Sequence, residues 1–202
     1  MGGGTDLLKI KASLPGRKVS LFGIECYEPN VEKARQNNII VFQIDIEREQ
    51  VPKSNESFDV IIANQIIEHT KEIFWVFGEV SRVLKKGGIA IIGIPNLASL
   101  HNRILLFFGE QPTCIEPLSA HVRGFTKPGF ERFITADGYF RVLDMKGSNF
   151  YPFSPRISRV LSKLFPALSV SLFFLIQRTG EEGSFVNVLE SRFFETPYFK
   201  GL

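Results

Sequence analysis

Residues 2–6 read Gly2-Gly3-Gly4-Thr5-Asp6 and lead straight into a helical pattern. Glycine lets a backbone approach a ligand closely, and a helix N-terminus presents free N–H groups. Glu25 closes the next apolar run, 23 positions after Gly2. That spacing suits an acid accepting hydrogen bonds from both ribose hydroxyls of an adenosine cofactor. The plainer alternative is a flexible glycine run with Glu25 as a loop acid. A dinucleotide fingerprint would continue Gly-x-Gly-x-x-Gly, yet position 7 is Leu7, and no Gly-Lys-Ser/Thr loop is present. A nucleoside without a pyrophosphate is the better fit.

Alternating apolar runs and helical patterns must position these residues. Residues 19–24, 39–44, 58–63 and 89–94 are short Ile/Val/Leu runs that read as buried strands. Residues 29–37 read as a helix with Pro29 in its first turn. Residues 73–84 read as another, with Lys85-Lys86-Gly87-Gly88 as its basic last turn and stop. Near-continuous apolar strands separated by helices indicate an α/β fold with a doubly wound, mostly parallel sheet. Further on, 97–109, 126–137 and 155–166 read as helices, and 139–146 and 170–178 as strands. One domain, 1–202, is expected, with residues 1–96 as the cofactor-binding half and 97–202 as the acceptor side.

Lys+Arg exceeds Asp+Glu by 24 − 21 = 3, too little to imply nucleic-acid binding from charge alone. A hydrophobic content of 44% against 22% charged excludes intrinsic disorder. Two cysteines exclude a disulfide scaffold, and reduced thiols in a cytoplasmic protein are expected. The 20 phenylalanines call for a large aromatic core. Lys9 and Lys11 make residues 1–15 unlike a secretory leader. The longest apolar stretch, near 167–176, is about half of a membrane span.

Five pieces in order resemble a class I S-adenosylmethionine-dependent methyltransferase: GGGTDLL at 2–8, FGIECYEPNVEKAR at 22–35, FQIDIE at 42–47, FDVIIANQIIEH at 58–69 and EVSRVLKKGGIAIIGIPN at 79–96. The segments at 95–112 and 121–126 are similar to the MetW-like group and to methyltransferases of surface-glycan gene clusters. The resemblance implies a Rossmann-like methyltransferase fold and S-adenosyl-L-methionine as cofactor. It implies that Gly2 and Gly4 let backbone approach the methionine part and that Glu25 holds the ribose. It further implies that Asp45 accepts from the adenine amino group beside the Ile46 backbone, and that Asn64 and Gln65 face the methionyl end. The plainer alternatives are a surface acid for Asp45 and a turn residue for Asn64. Asp6 stands where a third glycine is usual. The family's first central strand precedes the glycine loop and is missing or truncated here. Buried N–H and C=O groups facing that gap would each cost roughly 1–3 kcal/mol, so either upstream residues are missing or another segment fills the gap.

Methyl transfer needs chiefly positioning, and a base only where the acceptor must lose a proton. His69, after Glu68, and His121, beside Arg123 in a loop over the acceptor side, are the candidate catalytic residues. Helix-capping or structural roles are the alternatives for both, and His101 reads as a helix-surface residue. No metal site is expected, because the histidines are far apart in sequence and Cys26 and Cys114 are isolated. Helix 155–166 carries an apolar stripe expected to pack on the sheet, with a membrane-surface role as the alternative. The expected function is methyl transfer to an oxygen or nitrogen of a small molecule or saccharide. The alternative is a non-catalytic methyltransferase-like binding or scaffold module. A nicotinamide oxidoreductase is disfavoured by Leu7 and by the lack of a hydride-transfer pair.

Overall fold

The computed structural model describes residues 4–190, Arg192 and residues 197–201. The chain divides into two units, one reaching Ser54 and including Gly201, the other Asn55–Lys200. The first holds α1 (Thr5–Ala12), β1 (Phe22–Ile24), α2 (Glu28–Gln36) and β2 (Ile40–Phe42). β1 and β2 pair in parallel, Phe22 opposite Ile40. Leu21, Ala34 and Ile39 are buried together, with Leu7, Leu8, Val19 and Val41 packed against them.

The second unit contains β3 (Phe58–Asn64), α3 (Ile73–Val83), β4 (Leu84–Pro95) and α4 (Leu100–Phe107), then α5 (Lys127–Ile134), β5 (Phe140–Ser148), α6 (Pro155–Leu164) and β6 (Ser171–Arg178). Its sheet runs β3-β4-β6-β5. β3 and β4 are parallel, whereas β6 lies antiparallel to both β4 and β5. This sheet is mixed, because the last strand turns back between its neighbours. In β6, Leu172, Phe174 and Ile176 are fully buried on one face. Arg178 ends that face, and its Nε donates to the Ser81 carbonyl at 2.9 Å.

Three expectations are corrected. Lys85-Lys86-Gly87-Gly88 does not close a helix: α3 stops at Val83, and Leu84 is already extended and paired with Phe58. The next pairs join Val60 to Ile89 and Ile61 to Ala90, so the Lys-Gly stretch forms an irregularity within β4, with Gly87 at φ 79°. Second, 58–63 is not a buried strand: no residue of β3 is fully buried, and Val60 is exposed. Ile40 of β2 is exposed too. Third, the expected single sheet is two sheets. β1 and β3 are not paired, and among the described residues no strand pairs with the other edge of either. Burial on both faces needs neighbouring layers, and β2 and β3 end their sheets.

Phenylalanine forms the core of the second unit. Phe77 on α3 is fully buried and meets Phe133 at 5.0 Å, Phe185 at 5.5 Å, Phe140 at 6.0 Å and Phe130 at 6.3 Å, mostly edge-to-face. Phe77→Ala is predicted to cost about 3–5 kcal/mol, read from the denaturant midpoint.

Candidate functional site

In the first unit, the carboxyl ends of β1 and β2 bring two acids to one end of the small sheet. Glu25 directly follows β1, and its amide donates to the Phe42 carbonyl of β2 at 3.2 Å. Its side chain is only 9% exposed. Oε1 accepts from the amides of Cys26 and Tyr27, both at 3.1 Å, and Oε2 accepts from Asn30 Nδ2 at 3.2 Å. A carboxylate so gripped from the start of a helix has a fixed direction. Asp45 lies three residues beyond β2 and is exposed. Its Oδ1 accepts from the Glu47 amide at 2.9 Å, the self-bonding turn that short acids favour. Ile46 is half-buried in the same turn.

Gly4 precedes α1 with φ 82°, and a Cβ there would run into the Ile39 side chain. A left-handed backbone in a filled space admits glycine alone without strain. Gly2 lies outside the described residues.

In the second unit, Asn64 ends β3 opposite Gly93 of β4. A Cβ at Gly93 would run into Asn64 Oδ1, so that glycine makes room for the amide. Gln65 follows at φ 54°, a strained backbone for a side chain of its kind, with its amide held by the Gly93 carbonyl at 2.9 Å. Its side chain is exposed.

The turn after Gln65 carries Ile67–His69, and a distant loop closes on it. The amides of Val122 and Arg123 donate to the Glu68 carbonyl at 2.9 and 3.2 Å. The Arg123 guanidinium donates to the carbonyls of Thr70 and Lys71. These bonds bring the His69 and His121 rings edge-to-face at 4.6 Å. His69 Nδ1 faces the Ala120 carbonyl at 3.2 Å, and His121 Nδ1 faces that of Cys114 at 2.8 Å. A ring nitrogen that faces a carbonyl must carry hydrogen, which leaves Nε2 of each neutral ring as an acceptor. Cys114 is placed in turn by buried amides: Asn102 Nδ2 donates to its sulfur and to the Asn96 carbonyl, while Asn96 Nδ2 donates to the carbonyls of Ala167 and Ser169.

Glu68 completes the group. It is fully buried, and among the described residues neither carboxylate oxygen has a hydrogen-bond partner from another residue. Burial pushes its pKa up, against the opposing pull of its own amide and of His69 and His121. Ligand-capable atoms of Glu68, His69 and His121 all lie within 4.8 Å of one another. The expectation of no metal cluster rested on sequence distance, and the fold removes that ground. One carboxylate and two imidazoles can exchange a proton or hold a divalent cation. Sequence reading noted Glu68 only as the neighbour of His69 and passed over Asn96 and Asn102. The available signal was an acid beside a histidine directly after an apolar strand.

Residues 1–92 match a methyltransferase domain family. That stretch, a little under half of the chain, is similar to methyltransferase domains. The chain's fold also matches a solved S-adenosylmethionine-dependent methyltransferase from Archaeoglobus fulgidus, with a TM-score of 0.58, 15% identity, and 88% of this chain and 82% of that one covered. By sequence it is similar to the human mitochondrial ubiquinone biosynthesis O-methyltransferase, 24% identical over 136 residues, covering 63% of this chain and 35% of that protein. The Pelagibacter ubique ubiquinone biosynthesis O-methyltransferase is 31% identical over 80 residues, covering 38% of this chain and 33% of that one. The chain thus spans about a third of the length of these curated relatives. All five pieces of sequence that resembled the family begin within the matched segment.

Because the fold favours protonated Glu68, its contribution to stability is fully present below the ordinary value of 4.5 and is lost as pH rises through the raised value. Glu68→Gln is predicted to gain unfolding midpoint relative to the unmodified protein above neutrality. The difference should close as pH falls below 4.5, measured by thermal melts across pH.

Proposed function

We propose that this domain binds S-adenosylmethionine and transfers its methyl group to an oxygen or nitrogen of a small-molecule acceptor, saccharides included. An oxygen acceptor is favoured by the O-methyltransferase names of the two relatives. The observation that carries the reading is Glu25, a carboxylate fixed at the tip of β1 by two amides and Asn30, with Asp45 past the neighbouring tip. The residues fit the cofactor: Glu25 is an acceptor for paired hydroxyls, Asp45 for an amino group, and Gly4 keeps side-chain bulk from a crowded turn.

The bound cofactor supplies a methyl group already activated by its sulfonium. Glu25 would hold the ribose hydroxyls and Asp45 the adenine amino group, with the Ile46 backbone beside the ring. Gly4, with Gly2, would admit the methionyl part. His69 and His121 would use Nε2 to orient the acceptor or take its proton, and buried Glu68 would stabilise the charge an imidazole gains. A proton-abstracting group of this kind contributes about 10²–10⁴-fold.

Calorimetric titration with S-adenosylhomocysteine tests the reading. The protein is predicted to bind, Glu25→Gln to weaken binding about 10-fold or more, and His69→Ala and His121→Ala to leave it unchanged. No binding by the folded protein contradicts the reading. Binding without methyl transfer to any oxygen or nitrogen acceptor favours the alternative of a non-catalytic module.

A further inference from the structure

Helix α6 is built with its apolar side facing away from the protein. Ile157, Val160, Leu161, Leu164 and Phe165 recur at helical spacing, the stripe that in a globular protein faces the core. The expectation that this stripe packs on the sheet is overturned. Ile157 is 50% exposed, Val160 57%, Leu164 66% and Phe165 52%, whereas Ser158 and Ser162 are 6% exposed. The helix packs against β5, with Ser158 and Ser162 on the side it buries. Among the described residues, Ser162 Oγ finds no hydrogen-bond partner. Isolated exposed apolar residues are ordinary, but four exposed on one stripe, with only Leu161 half-buried, are not.

At 100° per residue, three faces follow one another around α6. The serines are directed at the protein. The apolar stripe comes next, and Arg156, Arg159 and Lys163 form the third face beside it. All three basic residues are exposed, and among the described residues no carboxylate pairs with them. From Met145 to Gly180 the chain has five Lys or Arg and neither Asp nor Glu. The approach to the helix extends the patch, with Tyr151 59% and Phe153 45% exposed.

We propose that α6 is a membrane-surface helix whose apolar face lies in an anionic lipid bilayer while Arg156, Arg159 and Lys163 meet the headgroups. A flat interface that is apolar within and anionic at its rim is complementary to both outward faces at once. A second copy of the chain is a poorer occupant, since it would set one basic face against another. Among the described residues no helix is long and apolar enough to cross a membrane, so α6 lies along the surface rather than across it. The inference does not depend on the cofactor or on methyl transfer.

The full chain is co-sedimented with vesicles of phosphatidylcholine alone and of equimolar phosphatidylcholine and phosphatidylglycerol. It is expected to bind the anionic vesicles at low salt and to be weakened by added salt. Arg156→Gln/Arg159→Gln/Lys163→Gln is expected to weaken that binding about 100-fold, at roughly 5-fold per basic side chain. Val160→Ser/Leu164→Ser is expected to weaken it about 10-fold or more while the unfolding midpoint is retained. Absence of anionic-vesicle binding overturns the proposal, as does binding that both variants retain. Self-association that Val160→Ser/Leu164→Ser abolishes, without vesicle binding, assigns the face to a second copy instead.

Discussion

A carboxylate taken out of water must be given donors, and Glu25 receives them from its immediate surroundings. The chain turns at the end of β1 so that the amides of Cys26 and Tyr27 point back at the side chain, and Asn30 in the first turn of α2 closes the grip. A three-residue strand would be a weak foundation alone. Parallel pairing with β2 and the bond from the Glu25 amide to Phe42 give the acid a fixed origin. The same pairing sets Asp45 at the same end. The adenosine reading rests on this local geometry, which draws on no residue outside the first unit.

The second unit solves a harder problem of position. His69 and His121 are 52 residues apart, and their rings meet at 4.6 Å. The loop from Cys114 to Arg123 is tied to the turn at Glu68 by backbone amides and a guanidinium, and Cys114 is held by the Asn96–Asn102 network. Polar residues buried in this way rigidify a site when their bonds are satisfied. Glu68 is the exception, buried without a donor from another of the described residues. A group that costs stability at the edge of a candidate active site is the usual trade between folding and chemistry.

Much of the fold was legible because apolar runs and caps are local signals. Each helix and strand expected from the glycine loop onward has a counterpart, and Pro29 lies in the first turn of α2 as its fixed φ suggests. What local pattern could not carry was direction and partnership. An apolar run such as 170–178 reads alike whether parallel or antiparallel, so the reversal of β6 was invisible. Lys85 to Gly88 offers a helix stop in isolation, but Leu84 gains a ladder partner in Phe58, and pairing outweighs the stop signal. The glycine loop and Glu25 were legible by type and spacing, and Asp45 only through the family resemblance. The Glu68–His69–His121 group was not, because loop closure sets it. For α6, periodicity identified an apolar stripe but not whether that stripe looked inward.

The central claim is that Glu25 and Asp45 hold one adenosine across neighbouring strand tips. Nitrogen-15 amide spectra recorded during titration with S-adenosylhomocysteine test it directly. The account predicts that the amides of Cys26, Tyr27 and Glu47, which donate to these two carboxylates, shift together and saturate at one ligand ratio, while Ile176 in the buried middle of β6 stays in place. Saturating shifts elsewhere, with those three amides unmoved, would contradict it.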